Sequence, residues 1–469
     1  MHIHWHRRDL RPTDNRGLHH AVAVGDDSVV PVFVFDKGIL EHGSPVRVAC
    51  LLEALDSLRT WYREHDSDLV VLHGDPSAVL PDLARAVDAT AVSWNVDYSG
   101  LADERDLAVS AALEDAGIAV HEQHDALCFD PGSITTNEGN HYSVYTYFWK
   151  KWRDRDKPDS VPAPSASELA AVTGDPLPTL EYLGFENPEA TVPSVGLECA
   201  RERATTFCDG PIYRYENERD YPARNTTSRL SVDLKYGTIG IRELYEATET
   251  AHEQAPDEAA RESVQTYQQQ LAWREFYAHV LAFNPEVVTE NFSGYSHPIE
   301  WRNDPDELEA WKAGETGYPI VDAGMRQLRT EAWVHNRVRM IVASFLTKDL
   351  LIDWREGYDW YRNRLADHDT ANDTGGWQWA ASTGTDAQPY FRIFNPMKQG
   401  RDYDPGAEYI KTHVAELADV DAADIHDWHE LSVSKRRELA PEYPDPIVDH
   451  SERREQALAM FERARGEDE

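Results

Sequence analysis

Residues 29–35 read VVPVFVF, seven apolar positions that Asp36 brings to an end. A short unbroken apolar run bounded in this way fits a strand buried on both faces better than a helix of three turns. Four similar runs flank it, at Ile3–Trp5, Leu69–Leu72, Ala91–Trp94 and Ile118–His121. Between them lie amphipathic stretches such as Val46–Glu64 and Pro76–Ala86. Strands alternating with helices predict a parallel, Rossmann-like sheet covered by helices on both faces, with ligands beyond the carboxyl ends of the strands.

From roughly Pro158 to Pro193 the chain is rich in Pro, Ser, Ala and Glu and reads as a linker. After about Glu198 the period changes to that of helices. Ser263–Phe283 and Ala332–Trp354 are expected as long helices, and the charged tail after Asp449 as a last amphipathic one. The expected organisation is an α/β domain over residues 1–130, a linker over 131–197, and an all-α domain over 198–469.

The chain has 469 residues, 41% of them hydrophobic, enough for more than one core. Eighty-four Asp and Glu stand against 46 Lys and Arg, a net charge of −38 spread along the whole length. Fourteen Trp and clear helical periodicity exclude disorder as its cause. The charge fits a surface adapted to concentrated salt, where the Debye length falls to roughly 3 Å. It opposes general affinity for a polyanion, so a nucleic-acid partner would need a local basic patch. Cys50, Cys128, Cys199 and Cys208 are scattered without metal-ligand spacing, so buried free thiols are expected, with no disulfide and no metal. No run of eighteen apolar residues occurs, and the charged stretch Met1–Asp14 has no apolar leader. A cytoplasmic monomer without membrane contact is the expectation.

Chemistry-bearing residues crowd between Thr316 and Tyr409, in TGYPIVDAGMRQL (316–328), HNRVRMIVASFLTKDLLIDW (335–354), ADHDTANDTGGWQWAASTGTD (366–386) and PYFRIFNPMKQG (389–400). Asn336, Met340 and Ala343 share one helix face, with Arg339 beside it. Together with WHRRDLRPTDNRGL (5–18), TSRLSVDLKYGTI (227–239) and QLAWREFY (270–277), these segments resemble the photolyase/cryptochrome family over nearly the whole chain. The nearest pattern is that of microbial cyclobutane pyrimidine dimer photolyases. The resemblance implies an α/β antenna domain, a helical domain holding FAD, and light-driven repair of pyrimidine dimers in DNA.

Carried over position by position, it assigns Thr227, Ser228, Arg229, Leu230 and Ser231 to the flavin phosphates, a turn whose hydroxyls could equally be an ordinary helix N-cap. It assigns Tyr215 and Tyr267 to the same cofactor, and Arg339, Asp367, His368 and Asp369 to the isoalloxazine. Asp373 stands opposite the flavin N5, where photolyases usually carry Asn and plant cryptochromes Asp. Trp377, Trp354 and Trp301 match the electron-hopping chain, although any one of them alone would read as core. The lesion pocket maps to Trp273, Asn336, Arg337, Met340 and Trp379. Arg219, Arg337 and Gln399, with Lys398 and Arg401, supply the basic patch, though each could be a solvated charge. Gln270 replaces the usual Glu; its amide hydrogen-bonds carbonyls but does not titrate. Arg47 and Asp97 match positions that hold 8-hydroxy-5-deazaflavin, while Leu101 and Ala102 replace the Asn-Glu pair that binds folate, so a deazaflavin antenna is expected. The competing reading is a cryptochrome-like photoreceptor, which Asp373 and Gln270 favour. A six-four photolyase would need a histidine pair where Asn336 and Met340 stand.

Overall fold

A computed structural model describes residues 1–24 and 28–466. All five expected strands form: β1 (His2–His6), β2 (Val29–Phe35), β3 (Val70–His73), β4 (Ala91–Asn95) and β5 (Ala119–Gln123). They make one parallel sheet in the order β3-β2-β1-β4-β5. β1 and β2 are buried at every position, as unbroken apolar runs require. Ile3, Trp5, Val30, Val32, Val34, Val92 and Trp94 form the core of the sheet layer with Leu80, Val109 and Leu113 from its helices. Pro45–Glu64 starts with Ser44 accepting from the Arg47 N–H and Pro45 in the first turn, a strong helix start.

Contacts divide the chain into two compact units, and the division differs from the three-part expectation. One unit contains Met1–Pro188, Val192–Glu216 and Thr227–Pro285; the other contains Glu189–Thr191, Asn217–Thr226 and Glu286–Glu469. The helices over 227–285 group with the sheet because buried charge ties them to it. Arg242, wholly buried, binds Asp14 at 2.5 Å and Asp125 at 2.6 Å, and Arg11 reaches Asp125 at 2.5 Å. Breaking such a pair on one side costs about 3–5 kcal/mol. Glu275 adds a second tie by accepting the N–H groups of Cys128 and Phe129. Burial pushes its carboxyl up to about 7. Within 131–197 the chain is not all linker, since Tyr145–Asp154 is a helix.

The second unit is helical. Its core gathers Trp311, Val338, Ile341, Phe345, Leu346, Trp354, Tyr361, Trp377 and Trp428, among others. The helix expected over Ala332–Trp354 is shorter and broken. Ala332 adopts φ 52° beyond the end of Pro319–Glu331, Asn336–Ser344 is α-helical, and Phe345–Asp349 is a π-helical turn. Leu351 at φ 55° ends that run, and the Asp353 side chain caps the next helix, Trp354–Arg364. The apolar period continued through a change of helix type that spacing alone does not reveal. The last helix forms at His450–Arg465. All four cysteines are free, but Cys199 is only half-buried. Among the described residues no helix is long and apolar enough to cross a membrane.

Candidate flavin and DNA site

In the helical unit, Asn336–Ser344, Thr370–Ala381 and the residues leading into the latter carry a charge cluster in which Asp367 and His368 are buried and Arg339 and Asp373 half-buried. Arg339 Nη2 donates to both oxygens of Asp367, at 3.0 and 2.8 Å, and its Nε donates to the Val334 carbonyl at 2.8 Å. Asp373 lies 3.8 Å from Arg339, and its other oxygen is 2.6 Å from His368 Nδ1. Burial alone would lower the Arg339 pKa; Asp367 and Asp373 outweigh it and raise it. Asp369 caps Thr370–Ala381 by accepting the Asn372 N–H. A core ion pair needs one carboxylate. Two carboxylates facing one guanidinium, with a histidine on the second, give an edge of alternating donors and acceptors suited to a polar heterocycle.

Aromatic rings adjoin the cluster. Tyr361 packs edge-on to Trp377 at 5.2 Å, and Trp311 meets Trp377 at 6.1 Å; burial, chiefly, raises the Tyr361 hydroxyl pKa. Trp354 is wholly buried and donates to Asn291 at 2.9 Å; Trp301 is half-buried against Phe461. A Cβ on Gly357 would fall 2.2 Å from the Trp377 ring, so glycine is what lets this helix approach the indole.

The other unit holds the Thr227–Ser231 turn. Arg229 is left-handed at φ 52°, and the short helix Ser231–Tyr236 has Leu230 at its N-cap with no side-chain cap bond. The ordinary N-cap explanation of these hydroxyls therefore fails: Ser228 Oγ accepts from the Leu230 N–H and meets the Tyr267 hydroxyl at 3.1 Å. Tyr215 and Phe207 pack on the Tyr267 ring. Burial raises the Tyr267 hydroxyl pKa, keeping it a neutral donor. The turn and the hydroxyls fit a phosphate-bearing cofactor.

The residues expected to meet DNA differ from a bare basic patch. Arg337 pairs with Asp220 at 2.9 Å and lies over the Tyr403 ring at 4.3 Å. Lys398 pairs with Asp402 at 2.7 Å, and Arg401 with Asp427. In a chain so rich in carboxylates these three cations each have an acidic partner. Arg219 and Gln399 are half-buried. Trp273 has one face covered by Tyr145, stacked 3.6 Å away at 10°, and Gln270 donates back to the Thr266 carbonyl. Asn336 is exposed, with its amide 3.8 Å from Met340 Sδ, and Trp379 is half-buried near Phe394. Of the residues expected to hold an antenna, Asp97 pairs with Arg8 at 3.2 Å, and Arg47 donates to the His42 carbonyl at 2.5 Å. Burial opposes ionisation of Asp97, but Arg8, Arg7 and Lys235 outweigh it and hold the carboxyl down at about 2.

Comparison with known proteins places this geometry. The profile of the FAD binding domain of DNA photolyase matches residues 267–463, and that of DNA photolyase matches residues 2–166. A deoxyribodipyrimidine photo-lyase of Halobacterium salinarum is 61% identical over 100% of both chains. The chain belongs to the photolyase/cryptochrome family. Among solved structures, a class III photolyase from Agrobacterium tumefaciens superposes with TM-score 0.90 at 34% identity, covering 99% of this chain and 98% of its own. An archaeal photolyase from Sulfolobus tokodaii, described with two FAD molecules, gives 0.84 at 31% identity over 98% of this chain and 99% of its own.

Several neighbours of the expected site residues carry no signal in the sequence. Tyr361 and Trp311 read as helix-core residues, and only their packing on Trp377 marks them out. Asp220, Tyr145 and Arg8 are far in sequence from Arg337, Trp273 and Asp97, so spacing carried no signal. His368, which the resemblance already assigned to the cofactor, has a local partner: five residues before Asp373, it returns to the first turn of the helix that Asp369 caps.

Proposed function

We propose that this chain repairs cyclobutane pyrimidine dimers in DNA with light, using reduced FAD. The observation that carries the reading is the Arg339–Asp367–Asp373–His368 cluster beside Tyr361 and Trp377, in a chain 61% identical throughout to a photo-lyase. Thr227, Ser228, Arg229, Leu230 and Ser231 hold the phosphates, with Tyr215 and Tyr267 behind them. Arg339, Asp367, His368, Asp369 and Asp373 hold the isoalloxazine edge. Bound there, reduced FAD would supply the light-driven electron transfer that repair of the cyclobutane ring needs.

The protein positions and insulates. Arg339, anchored by two carboxylates, keeps a fixed positive charge at the cofactor. Trp301, Trp354 and Trp377 offer oxidisable indoles from the surface inward. Trp273 and Trp379 stack on an extruded pyrimidine pair, whose poor pairing makes extrusion cheap. Asn336, Met340 and the Gln270 amide line its edge; Arg219, Arg337 and Gln399 hold the flanking backbone. We assign the antenna to 8-hydroxy-5-deazaflavin at Arg47 and Asp97 in residues 1–130, and flavin and DNA binding to 198–469. The alternative, a cryptochrome-like signalling role, is favoured by Gln270 and Asp373.

The test is restoration by light of an oligonucleotide carrying one thymine dimer, in concentrated KCl, with the flavin fully reduced. Light-dependent restoration is expected. Its absence refutes repair. The absorption spectrum of the purified protein tests the antenna: a deazaflavin band is expected, and a folate or second flavin band overturns that assignment.

A further inference from the structure

The carboxyl end of β1 carries a cluster that none of the flavin, DNA or antenna roles uses. β1 is the central strand, between β2 and β4, where the chain order of the sheet reverses. Ligands of open parallel sheets gather at such switch points. His4 and His6 lie two residues apart on one face of β1, and Asp9 returns to them from the turn that follows. His4 and His6 are fully buried and Asp9 is 2% exposed. Their donor atoms converge: Asp9 Oδ2 lies 3.3 Å from His4 Nε2 and 3.7 Å from His6 Nδ1.

Those separations decide between two explanations. A charge-assisted imidazole–carboxylate hydrogen bond runs about 2.7–2.9 Å. Both contacts are longer, and the second is beyond hydrogen-bond range. Ligands at roughly 2.05 Å from a tetrahedral zinc stand roughly 3.3 Å apart. The far nitrogen of each ring also meets a hydroxyl: His4 Nδ1 meets Ser93 Oγ at 3.3 Å and His6 Nε2 meets the Tyr62 hydroxyl at 2.7 Å. Each ring can thus give its far N–H to an oxygen and turn the near nitrogen's lone pair inward, the usual outer shell of a metal-bound histidine. Asp9 is held by Asn15 and Asn95 on Oδ2 and by the Arg7 N–H on Oδ1. His6 Nδ1 also lies 3.1 Å from the Asp9 backbone carbonyl, to which it donates in the metal-free protonation state; that carbonyl already accepts from the Arg11 N–H and the Asn15 amide, so it stays satisfied when Nδ1 gives up its proton to bind a metal. Among the described residues the Asp9 carboxylate has no lysine or arginine side chain as ion-pair partner, and a buried carboxylate without a cation is costly.

We propose that His4, His6 and Asp9 bind a divalent cation of the zinc class, supplying three of the four ligands such an ion takes. The sequence reading looked for cysteine spacing and missed the site, because His-x-His on a strand reads as simple alternation. The test is zinc titration of the untagged, FAD-loaded full chain after chelator treatment, in concentrated KCl. The expected result is one tight equivalent in wild type and in the control His297→Asn, weakened at least tenfold in His4→Phe. Equal affinity in wild type and His4→Phe overturns the site and leaves a proton-bonded network. X-ray absorption at the zinc edge on the wild-type chain decides even if His4→Phe does not fold. Scattering from two imidazoles with one carboxylate oxygen is expected, and a spectrum lacking imidazole overturns the proposal.

Discussion

Removing Asp367 separates a cofactor site from a core ion pair. In Asp367→Leu, Arg339 Nη2 loses two contacts of 3.0 and 2.8 Å but keeps the Val334 carbonyl and Asp373 at 3.8 Å. Orphaning one member of a buried pair costs about 3–5 kcal/mol. The surviving Asp373 puts this case at the low end, about 3 kcal/mol. Arg339→Met orphans Asp367 instead and costs a similar amount. The double variant Arg339→Met/Asp367→Leu replaces both charges by apolar groups, which at buried pairs is often near neutral. A denaturation cycle should therefore give a coupling energy of several kcal/mol, well above the few tenths typical of independent sites. Flavin content then divides the two explanations. If the pair serves the cofactor, the double variant folds about as stably as wild-type apoprotein yet holds no FAD, measured as flavin absorbance per chain. Full flavin occupancy in the double variant would falsify the cofactor role, and additive single effects would refute the pair.

Gly357→Ala places a methyl 2.2 Å from the Trp377 ring and 2.6 Å from Leu346. Overpacking of about 1–3 kcal/mol exceeds the roughly 1 kcal/mol gained in helix propensity, so Tm should fall and photoreduction should slow; an unchanged rate would remove Trp377 from the relay. Gln270→Glu should raise the repair quantum yield, and an equal or lower yield would sink the account of the amide. Burial lowers the His279 pKa from 6.5 to about 4, while the Glu275 carboxyl 3.8 Å away, pushed up to about 7, is mostly protonated over that window. A depressed histidine contributes stability above pH 6.5 that is lost as pH falls toward 4, up to about 3 kcal/mol. His279→Gln should flatten the melting curve's pH dependence over that window; an unaltered slope counts against it. Dimer binding should depend only shallowly on salt because Arg337 is engaged by Asp220. Asp220→Asn should tighten binding and steepen the log–log salt slope by about one, which anisotropy titration in KCl would detect.

What the sequence made legible follows from the range of the forces involved. Strand positions and the start of Pro45–Glu64 depend on neighbours within a few residues, so runs such as VVPVFVF and the Ser44–Pro45 start revealed them. The break after Ser344 was hidden because the apolar period continues through the π-helical turn, while the residues that end it, Leu351 and Asp353, act through backbone angle and capping. Charge pairing over long sequence distances was least visible. Arg242 could not be matched to Asp14, 228 residues away, yet that contact sets which helices group with the sheet.

The same limit explains how so acidic a chain is expected to handle DNA. Counting charges predicts repulsion and a compensating basic patch, but Arg337, Lys398 and Arg401 each pair with a carboxylate. Each exposed pair contributes on the order of 0–1 kcal/mol, and salt screens it. In concentrated salt the cations are thus released at little cost when a phosphate arrives, though the phosphate contact is weakened by the same screening. Affinity then has to come from terms that salt does not weaken, chiefly stacking at about 1–3 kcal/mol per base. On the proposed reading that burden falls to Trp379 and Trp273, and Tyr145, stacked on Trp273 at 3.6 Å, already orients that ring.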